Sequence, residues 1–361
     1  MKHLYAVILC GGRGERFWPK SRRPAPKQFI SLFGNRSLTQ ATSDRILGLC
    51  PLEHQLFVAG TEFGPTLKRQ LKLGKQSLVF EPYGRNTAPA IGLAAAYLHK
   101  RDPDATMVVL PADHLIENRK EFVRDVKLAV ELAQQGLLVT FGIPPDRPDT
   151  GYGYIGLGKE IVRYAAGVPL AAHKVLGFRE KPSAEKAREY VAAGNFVWNS
   201  GMFVWRVDAI LGAMRLYMPK FRTALETFEK AIGTKREAAA LKRLYAGIES
   251  ISIDYAVMEK APNIAAVRAT FDWDDVGSWH ALARHLKADA AGNVANGIFV
   301  GKDVRNCIID SDSGVVAALG VEDLVIVRSG NAVLVARRDA LGSIKELLAE
   351  LAGNPKTKGH L

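Results

Sequence analysis

At 361 residues the chain is long enough for one large core and a smaller one, since single cores stop growing at roughly 250–300 residues. Its 48% apolar and 24% charged residues are ordinary for a globular protein, and no apolar run approaches the ~20 residues that cross a membrane. The net charge of +12 excludes less by its size than by its placement: the first 36 residues hold eight Lys/Arg against one acid, Glu15. A nucleic-acid binder would spread such charge over a face with interleaved aromatics. One concentrated site favours a small polyanion over nucleic acid or a membrane surface.

The elements begin with Tyr5–Cys10, an apolar run read as a buried strand. It is too short for a signal peptide. A loop follows with glycines at 11, 12 and 14, prolines at 19, 24 and 26, and cations at Arg13, Arg16, Lys20, Arg22, Arg23 and Lys27. Glycines let backbone N–H groups approach an anion, and the cations add the charge that the backbone lacks. Strands at Gln55–Ala59, Ser77–Phe80, Thr106–Leu110 and Leu137–Ile143 then alternate with helices at Leu38–Leu47, Gly64–Leu73, Ala88–Lys100 and Lys120–Gln135. Unbroken apolar strands alternating with helices predict a parallel sheet covered on both faces, with ligands beyond its carboxyl edge.

The middle is less regular. Gly142–Gly158 reads as a functional loop or hairpin, Val175–Glu180 and Met202–Val207 as strands, and Ala184–Ala193, Ala209–Tyr217, Lys220–Ile232 and Arg236–Ile248 as helices. A composition shift at Ala288–Asn293 marks the expected boundary, giving domains 1–290 and 291–361. The second has short β-like runs at Gly297–Val300, Asn306–Asp310, Val315–Leu319, Leu324–Arg328 and Ala332–Ala336, then a helix at Leu341–Leu351. Cys10, Cys50 and Cys307 form no CxxC pair and read as buried thiols in a reducing cytoplasm.

Several stretches carry chemistry. In Glu81-Pro-Tyr-Gly-Arg-Asn-Thr-Ala-Pro, Asn86 or Thr87 could cap a helix, and Glu81 adds a carboxylate able to accept the paired N1–H and N2–H of guanine. Asp113 stands just past a strand end, where one or two carboxylates can hold Mg²⁺ on phosphates. Phe271–Trp279 packs three acids and two tryptophans around Gly277, from which a second magnesium ligand would come. Phe178-Arg-Glu-Lys-Pro182 and Trp198-Asn-Ser-Gly-Met202 offer carboxylate and amide groups suited to sugar hydroxyls, although each alone is more often a turn. There is no G-x-S-x-G elbow, H-E-x-x-H or Walker A sequence.

Taken in order, CGGRGERFWPKSRRPAPKQF, FEPYGRNTAPAI, VVLPADH, TGYGYI, FREKP, WNSGMF and FDWDDVGSW resemble the sugar-1-phosphate nucleotidyltransferases, and among them the mannose-1-phosphate guanylyltransferases. The resemblance covers nearly the whole chain. It implies an α/β fold, a Rossmann-like domain with a mainly parallel mixed sheet, plus a small C-terminal β-rich domain ending in a helix. It implies GTP and mannose 1-phosphate as substrates and Mg²⁺ as cofactor. By motif match, Gly11, Gly12, Gly14 and Arg16 hold the triphosphate, and Arg16, Lys27, Asp113 and Asp275 are catalytic, the two aspartates holding the metal. Glu81, Gly84, Asn86 and Thr87 fall where the family reads the nucleotide, and Gly151, Tyr152, Glu180, Lys181 and Asn199 where it holds sugar phosphate. Cys10 replaces the usual alanine. Many relatives continue into a cupin domain with isomerase activity, whereas this sequence stops at Leu361, so a single activity is expected. The alternatives are a glucose-1-phosphate thymidylyltransferase and a non-catalytic nucleotide-sugar-binding subunit. The short strands of the tail domain would leave edges, which suggests a homodimer through that domain.

Overall fold

A computed structural model describes residues 2–12, 14–165 and 168–361. Arg13, one of the loop cations, lies outside the described residues. The chain forms two compact units: Met1–Gly11, Thr42–Ala112 and Ile116–Trp273 make the first, and Gly12–Ala41, Asp113–Leu115 and Asp274–Leu361 the second.

The first unit is built on β1 (Leu4–Leu9), β2 (Gln55–Gly60), β3 (Leu78–Glu81), β4 (Thr106–Pro111), β5 (Leu138–Ile143), β6 (Tyr154–Ala165), β7 (Val168–Arg179), β8 (Phe196–Arg206) and β9 (Ile264–Arg268). They form one sheet in the order β3-β2-β1-β4-β8-β5-β9-β7-β6. β1 pairs in parallel with β2 and β4, as do β2 with β3 and β5 with β9, whereas β8 lies antiparallel between β4 and β5. Neighbouring residues of β1 feed opposite faces: Tyr5 and Val7 join one core cluster, Leu4 and Ala6 the other. That two-sided burial is why the strand reads as a continuous apolar run.

Helices α1 (Leu38–Ile46), α2 (Gly64–Leu71), α3 (Thr87–Arg101), α4 (Arg119–Gln134), α5 (Ala184–Ala193), α6 (Val207–Tyr217), α7 (Pro219–Glu229) and α8 (Glu237–Ala246) follow the expected spans to within a few residues. Several features differ from expectation. β7 and β8 begin earlier than the sequence suggests. β9, with alanines at 265 and 266, gave no strand signal, and a π-helical turn runs Asp254–Met258. The β6–β7 hairpin shifts register four times, which breaks the period-two pattern that announces a strand.

In the second unit, α9 (His280–His285) leads to β10 (Val294–Lys302), β11 (Ile308–Leu319), β12 (Leu324–Ser329) and β13 (Ala332–Arg337), and α10 (Ile344–Gly353) follows. β10, β11 and β12 pair in parallel, and β13 closes the sheet antiparallel to β12. The runs expected at 306–310 and 315–319 are one strand, whose register against β10 shifts between Asn296 and Ile298. The basic loop packs into this unit: Phe17, Trp18 and Leu32 share a core with Trp279, Ile308, Val327 and Ile344. No helix among the described residues is long and apolar enough to cross a membrane.

Candidate active site

Within the second unit, Gly14, Glu15, Arg16, Phe17, Lys27, Asp113, His114, Asp275, Gly277 and Lys345 line a cavity of about 470 Å³. The four residues expected to be catalytic, Arg16, Lys27, Asp113 and Asp275, all stand on its wall. Gly14 is held at φ 60°, and a Cβ there would come within 2.3 Å of the Lys27 Cβ, so only glycine lets the two loop segments meet. Gly11 and Gly12 precede this point, exposed, with nothing within 4 Å of where a Cβ would project. Their backbone is open to a ligand.

Lys27 is buried, and its ammonium is committed three ways. It bonds Asp113 Oδ2 at 2.8 Å and donates to the carbonyls of Asp275 (2.8 Å) and Val276 (2.9 Å). Burial would raise the Asp113 carboxyl, but the Lys27 ammonium and His114 outweigh it and hold the group below the usual carboxylate range. Leu115 and Asp274 exchange backbone hydrogen bonds at 2.9 and 3.0 Å, tying the Asp113 segment to the Asp275 segment.

The acids of the FDWDDVGSW stretch have separate fates. Asp272 accepts the backbone N–H groups of Glu117 (2.9 Å) and Asn118 (2.7 Å), at the start of α4. Asp274 is buried between Arg284 (2.6 and 2.8 Å) and His285 (2.9 Å); burial opposes ionisation, but these partners hold it ionised well below its usual range. Asp275 alone faces the cavity. Directly after Asp275, Val276 is held at φ 50°, a strained conformation for a β-branched residue, and this turn presents its carbonyl to Lys27.

Not every loop cation serves the cavity. Lys20 is paired with buried Asp310 of β11 at 2.7 and 2.9 Å, and Arg22 donates to the carbonyls of Pro19 (3.0 Å) and Ser329 (2.9 Å). Both brace the loop against the C-terminal strands. In exchange α10 brings Lys345 to the cavity, a residue for which the sequence gave no signal.

Asp113 and Asp275 both line the cavity and could offer two hard-oxygen donors, the number Mg²⁺ takes when substrate phosphates and water complete its shell. Among the described residues no group of three or more His, Cys, Asp or Glu is placed to cage a metal. The donor set therefore fits an ion shared with a phosphate ligand.

In the first unit, Glu81 ends β3 and is only 7% exposed; its Oε1 accepts the Tyr245 hydroxyl at 3.0 Å. Burial pushes the Glu81 carboxyl up to about 7, with the Tyr245 bond opposing. Asn86, at φ 68°, caps α3 through Oδ1 to the Thr87 N–H at 2.8 Å. Thr87 turns its hydroxyl to the Ile253 N–H at 2.9 Å, and Gly84 is exposed.

Asn199 and Glu180 also converge there. A Cβ on Gly153 would lie 2.5 Å from Glu180 Oε2 and 3.7 Å from the Asn199 Cβ. Asn199 donates to Asp254 Oδ1 at 2.8 Å, so the π-helical turn adds a carboxylate that sequence reasoning missed. Burial raises both Asp254 and Glu180, the latter further through Asp254. Tyr152 packs on Trp198 and Trp273, with ring centroids at 4.9 and 5.3 Å, while Gly151 donates its N–H to Asp149 at 2.9 Å. Lys181 is exposed at φ 44°.

Residues 5–292 match the family model described as Nucleotidyl transferase. The chain belongs to this family. Residues 297–351 match a second model, MannoseP isomerase/GMP-like beta-helix domain. The chain is 39% identical to a mannose-1-phosphate guanylyltransferase of Escherichia coli, over 98% of this chain and 75% of that protein. It is 36% identical to the alginate biosynthesis protein AlgA of Pseudomonas aeruginosa, over 99% of this chain and 74% of that one. Among solved structures it is similar to a mannose-1-phosphate geranyltransferase from Thermus thermophilus, with TM-score 0.87, 37% identity, and coverage of 97% and 99% of the two chains. It also resembles a mannose-6-phosphate isomerase from Helicobacter pylori, with TM-score 0.60, 28% identity, and coverage of 75% and 99%. The expected α/β fold, mainly parallel sheet and β-rich C-terminal segment ending in a helix are thus present in this nucleotidyltransferase.

Proposed function

We propose that the chain transfers GMP from GTP to α-D-mannose 1-phosphate, giving GDP-mannose and pyrophosphate. The observation that carries this reading is the cavity where Arg16, Lys27 and Lys345 stand with Asp113 and Asp275, cations and metal-type ligands without a nucleophilic triad. Guanylyltransferase relatives at 39% identity support the choice of base and sugar.

A phosphate oxygen of mannose 1-phosphate forms the new bond to the GTP α-phosphorus, and the α–β bridging bond breaks. Both nucleophile and leaving group are already anionic near neutral pH, so no general base is needed. The obstacle is charge. Arg16 and Lys345 offset the pyrophosphate, while Lys27 holds Asp113 and the 275–276 turn in place and can exchange a carbonyl for a phosphate oxygen. Mg²⁺ held by Asp113 and Asp275 would supply further positive charge to the phosphate oxygens. The exposed backbone of Gly11 and Gly12, with the partly buried Gly14, offers N–H groups to the triphosphate. Glu81, Gly84, Asn86 and Thr87 read the nucleoside, with Asn86 and Thr87 shaping the turn, and Gly151, Tyr152, Glu180, Lys181 and Asn199 take the sugar phosphate.

Residues 1–290 are the catalytic domain in this reading, and 291–361 an accessory one that adds Lys345 to the cavity. Exposed Ile298, Val300, Val333 and Val335 give the accessory domain an apolar surface suited to pairing two copies. A monomer in light scattering at working concentration would remove the dimer. The three cysteines are buried, which supports action in a reducing cytoplasm.

The test is incubation with GTP, Mg²⁺ and a panel of sugar 1-phosphates, following pyrophosphate. Release is expected with mannose 1-phosphate above the others; no release with any would sink the proposal. The Helicobacter pylori structure motivates one added arm, interconversion of mannose 6-phosphate and its ketose isomer.

A further inference from the structure

We infer that Tyr245 sets base specificity by holding Glu81 in its ionised, acceptor-only form, the form that fits guanine and not adenine. The inference rests on the reading that Glu81 meets the base. Its own ground is geometric. Tyr245 lies on α8, is wholly buried, and donates its hydroxyl to Glu81 Oε1 at 3.0 Å across 164 residues of sequence. The Tyr83 ring meets Tyr245 edge-on at 5.9 Å, and the Arg85 guanidinium lies 5.0 Å over Tyr83. The pair is thereby packed in place.

The chemistry turns on one proton. An ionised carboxylate offers two acceptors, which match the N1–H and N2–H donors of guanine. A neutral carboxyl offers one O–H donor and one acceptor, which match the N1 acceptor and N6–H donor of adenine. Burial drives Glu81 toward the neutral form and places its titration near 7, where the two forms compete. The Tyr245 hydroxyl pulls the other way, because a hydrogen bond donated to the charged form favours it.

The other polar groups nearby do not substitute for it. Tyr97 on α3 is within electrostatic reach of Tyr245, but its hydroxyl is engaged with Glu237 at 2.6 Å. On β2 the register partner of Glu81 is Gly60, against which the Glu62 carboxylate lies, and a negative charge there would not help ionise Glu81. Arg85 sits over Tyr83 rather than on the carboxyl.

The experiment is the ratio of kcat/KM for GTP to that for ATP, measured from pH 5.5 to 8.5 with saturating Mg²⁺ and mannose 1-phosphate. Taking the ratio cancels titration of the triphosphate. For the unmodified protein the preference for GTP should fall as pH drops through about 7. Tyr245→Phe should move that fall to higher pH by roughly one unit, with the ratio recovered at pH 8.5 and the KM for mannose 1-phosphate unchanged. Superimposable curves would overturn the inference, as would a loss of preference by the same factor at every pH, which marks a merely structural role. Glu81→Gln separates the two levels. If it leaves the GTP/ATP ratio intact, the reading of Glu81 fails and the inference with it. If it lowers the ratio while Tyr245→Phe does not move the pH limb, only the inference fails. Carboxyl ¹³C NMR of the nucleotide-free protein gives a check that needs no variant: Glu81 should titrate near 7, and titration below 5 contradicts the inference.

Discussion

Asp113 follows the end of β4 by two residues and Glu81 ends β3, yet the two carboxyls are held in opposite states. Asp113 has the Lys27 ammonium at 2.8 Å and stays ionised below its ordinary range. Glu81 has only a phenol at 3.0 Å and is driven up to about 7, while Asp254 and Glu180 beside Asn199 are raised as well. The difference follows what each region handles in the proposed reaction. Phosphates carry their own charge, and the cavity of the second unit pairs and orients Lys27 with Asp113 before a ligand arrives. A base and a sugar are neutral, and they are met in the first unit by partly desolvated carboxyls and amides whose hydrogen bonds, not net charge, discriminate.

The largest effect should come from Lys27→Ala, which removes the ammonium that holds Asp113 and the carbonyls of 275 and 276. We expect kcat to fall by roughly 10³-fold or more, read in single turnover, with a melting curve to separate misfolding from lost chemistry. Activity near that of the parent would erase the distinction between the regions. Asp275→Asn should cost about 10²-fold in kcat and raise the Mg²⁺ needed for half-maximal rate, because it removes one of the two proposed hard-oxygen ligands lining the cavity. A Mg²⁺ dependence that does not move would take Asp275 out of the metal site.

Glu81→Gln tests the other side. The GTP preference over ATP should drop by roughly 10–100-fold while turnover at saturating GTP changes little. A collapse of kcat instead would mean the two regions are not separable in this way. Asp274→Asn removes no proposed ligand but weakens a support, since Asp274 serves Arg284 and His285 and also accepts the Val276 N–H at 2.7 Å. It should lower stability by about 2–3 kcal/mol at neutral pH. Because the folded Asp274 carboxyl is depressed, its stabilising effect is full above the unfolded value near 4 and is lost only as pH falls toward the lower folded value. Denaturant midpoints for parent and variant should therefore converge in strong acid. Lys345→Ala, on an exposed side chain, should have the smallest effect, a several-fold rise in the KM for GTP that grows at low salt.

Much of the cavity proposed to take the phosphates was legible in the sequence, because the groups that line it are local. A glycine loop leaving a strand, an aspartate past a strand end and an acidic turn each announce themselves within a few residues. What stayed hidden depended on long-range packing. Lys20 and Arg22 look no different from Arg16 in sequence, yet Asp310 and Ser329, about 300 positions away, claim them for structure. Asp254 reaches Asn199 from a π-helical turn, Lys345 comes from the last α-helix, and Tyr245 comes from a stretch read only as a helix. In the fold, the parallel half of the sheet was readable from its apolar runs. The antiparallel insertion of β8 was not, because pairing partners are chosen by topology and not by the strand's own residues.

The proposed reaction is tested most directly by mannose 1-phosphate labelled with ¹⁸O throughout its phosphate, incubated with GTP, Mg²⁺ and the protein. Attack by the sugar phosphate on the α-phosphorus predicts GDP-mannose carrying all of the label and one unlabelled pyrophosphate per product. Label in pyrophosphate, or conversion of neither substrate, would contradict it.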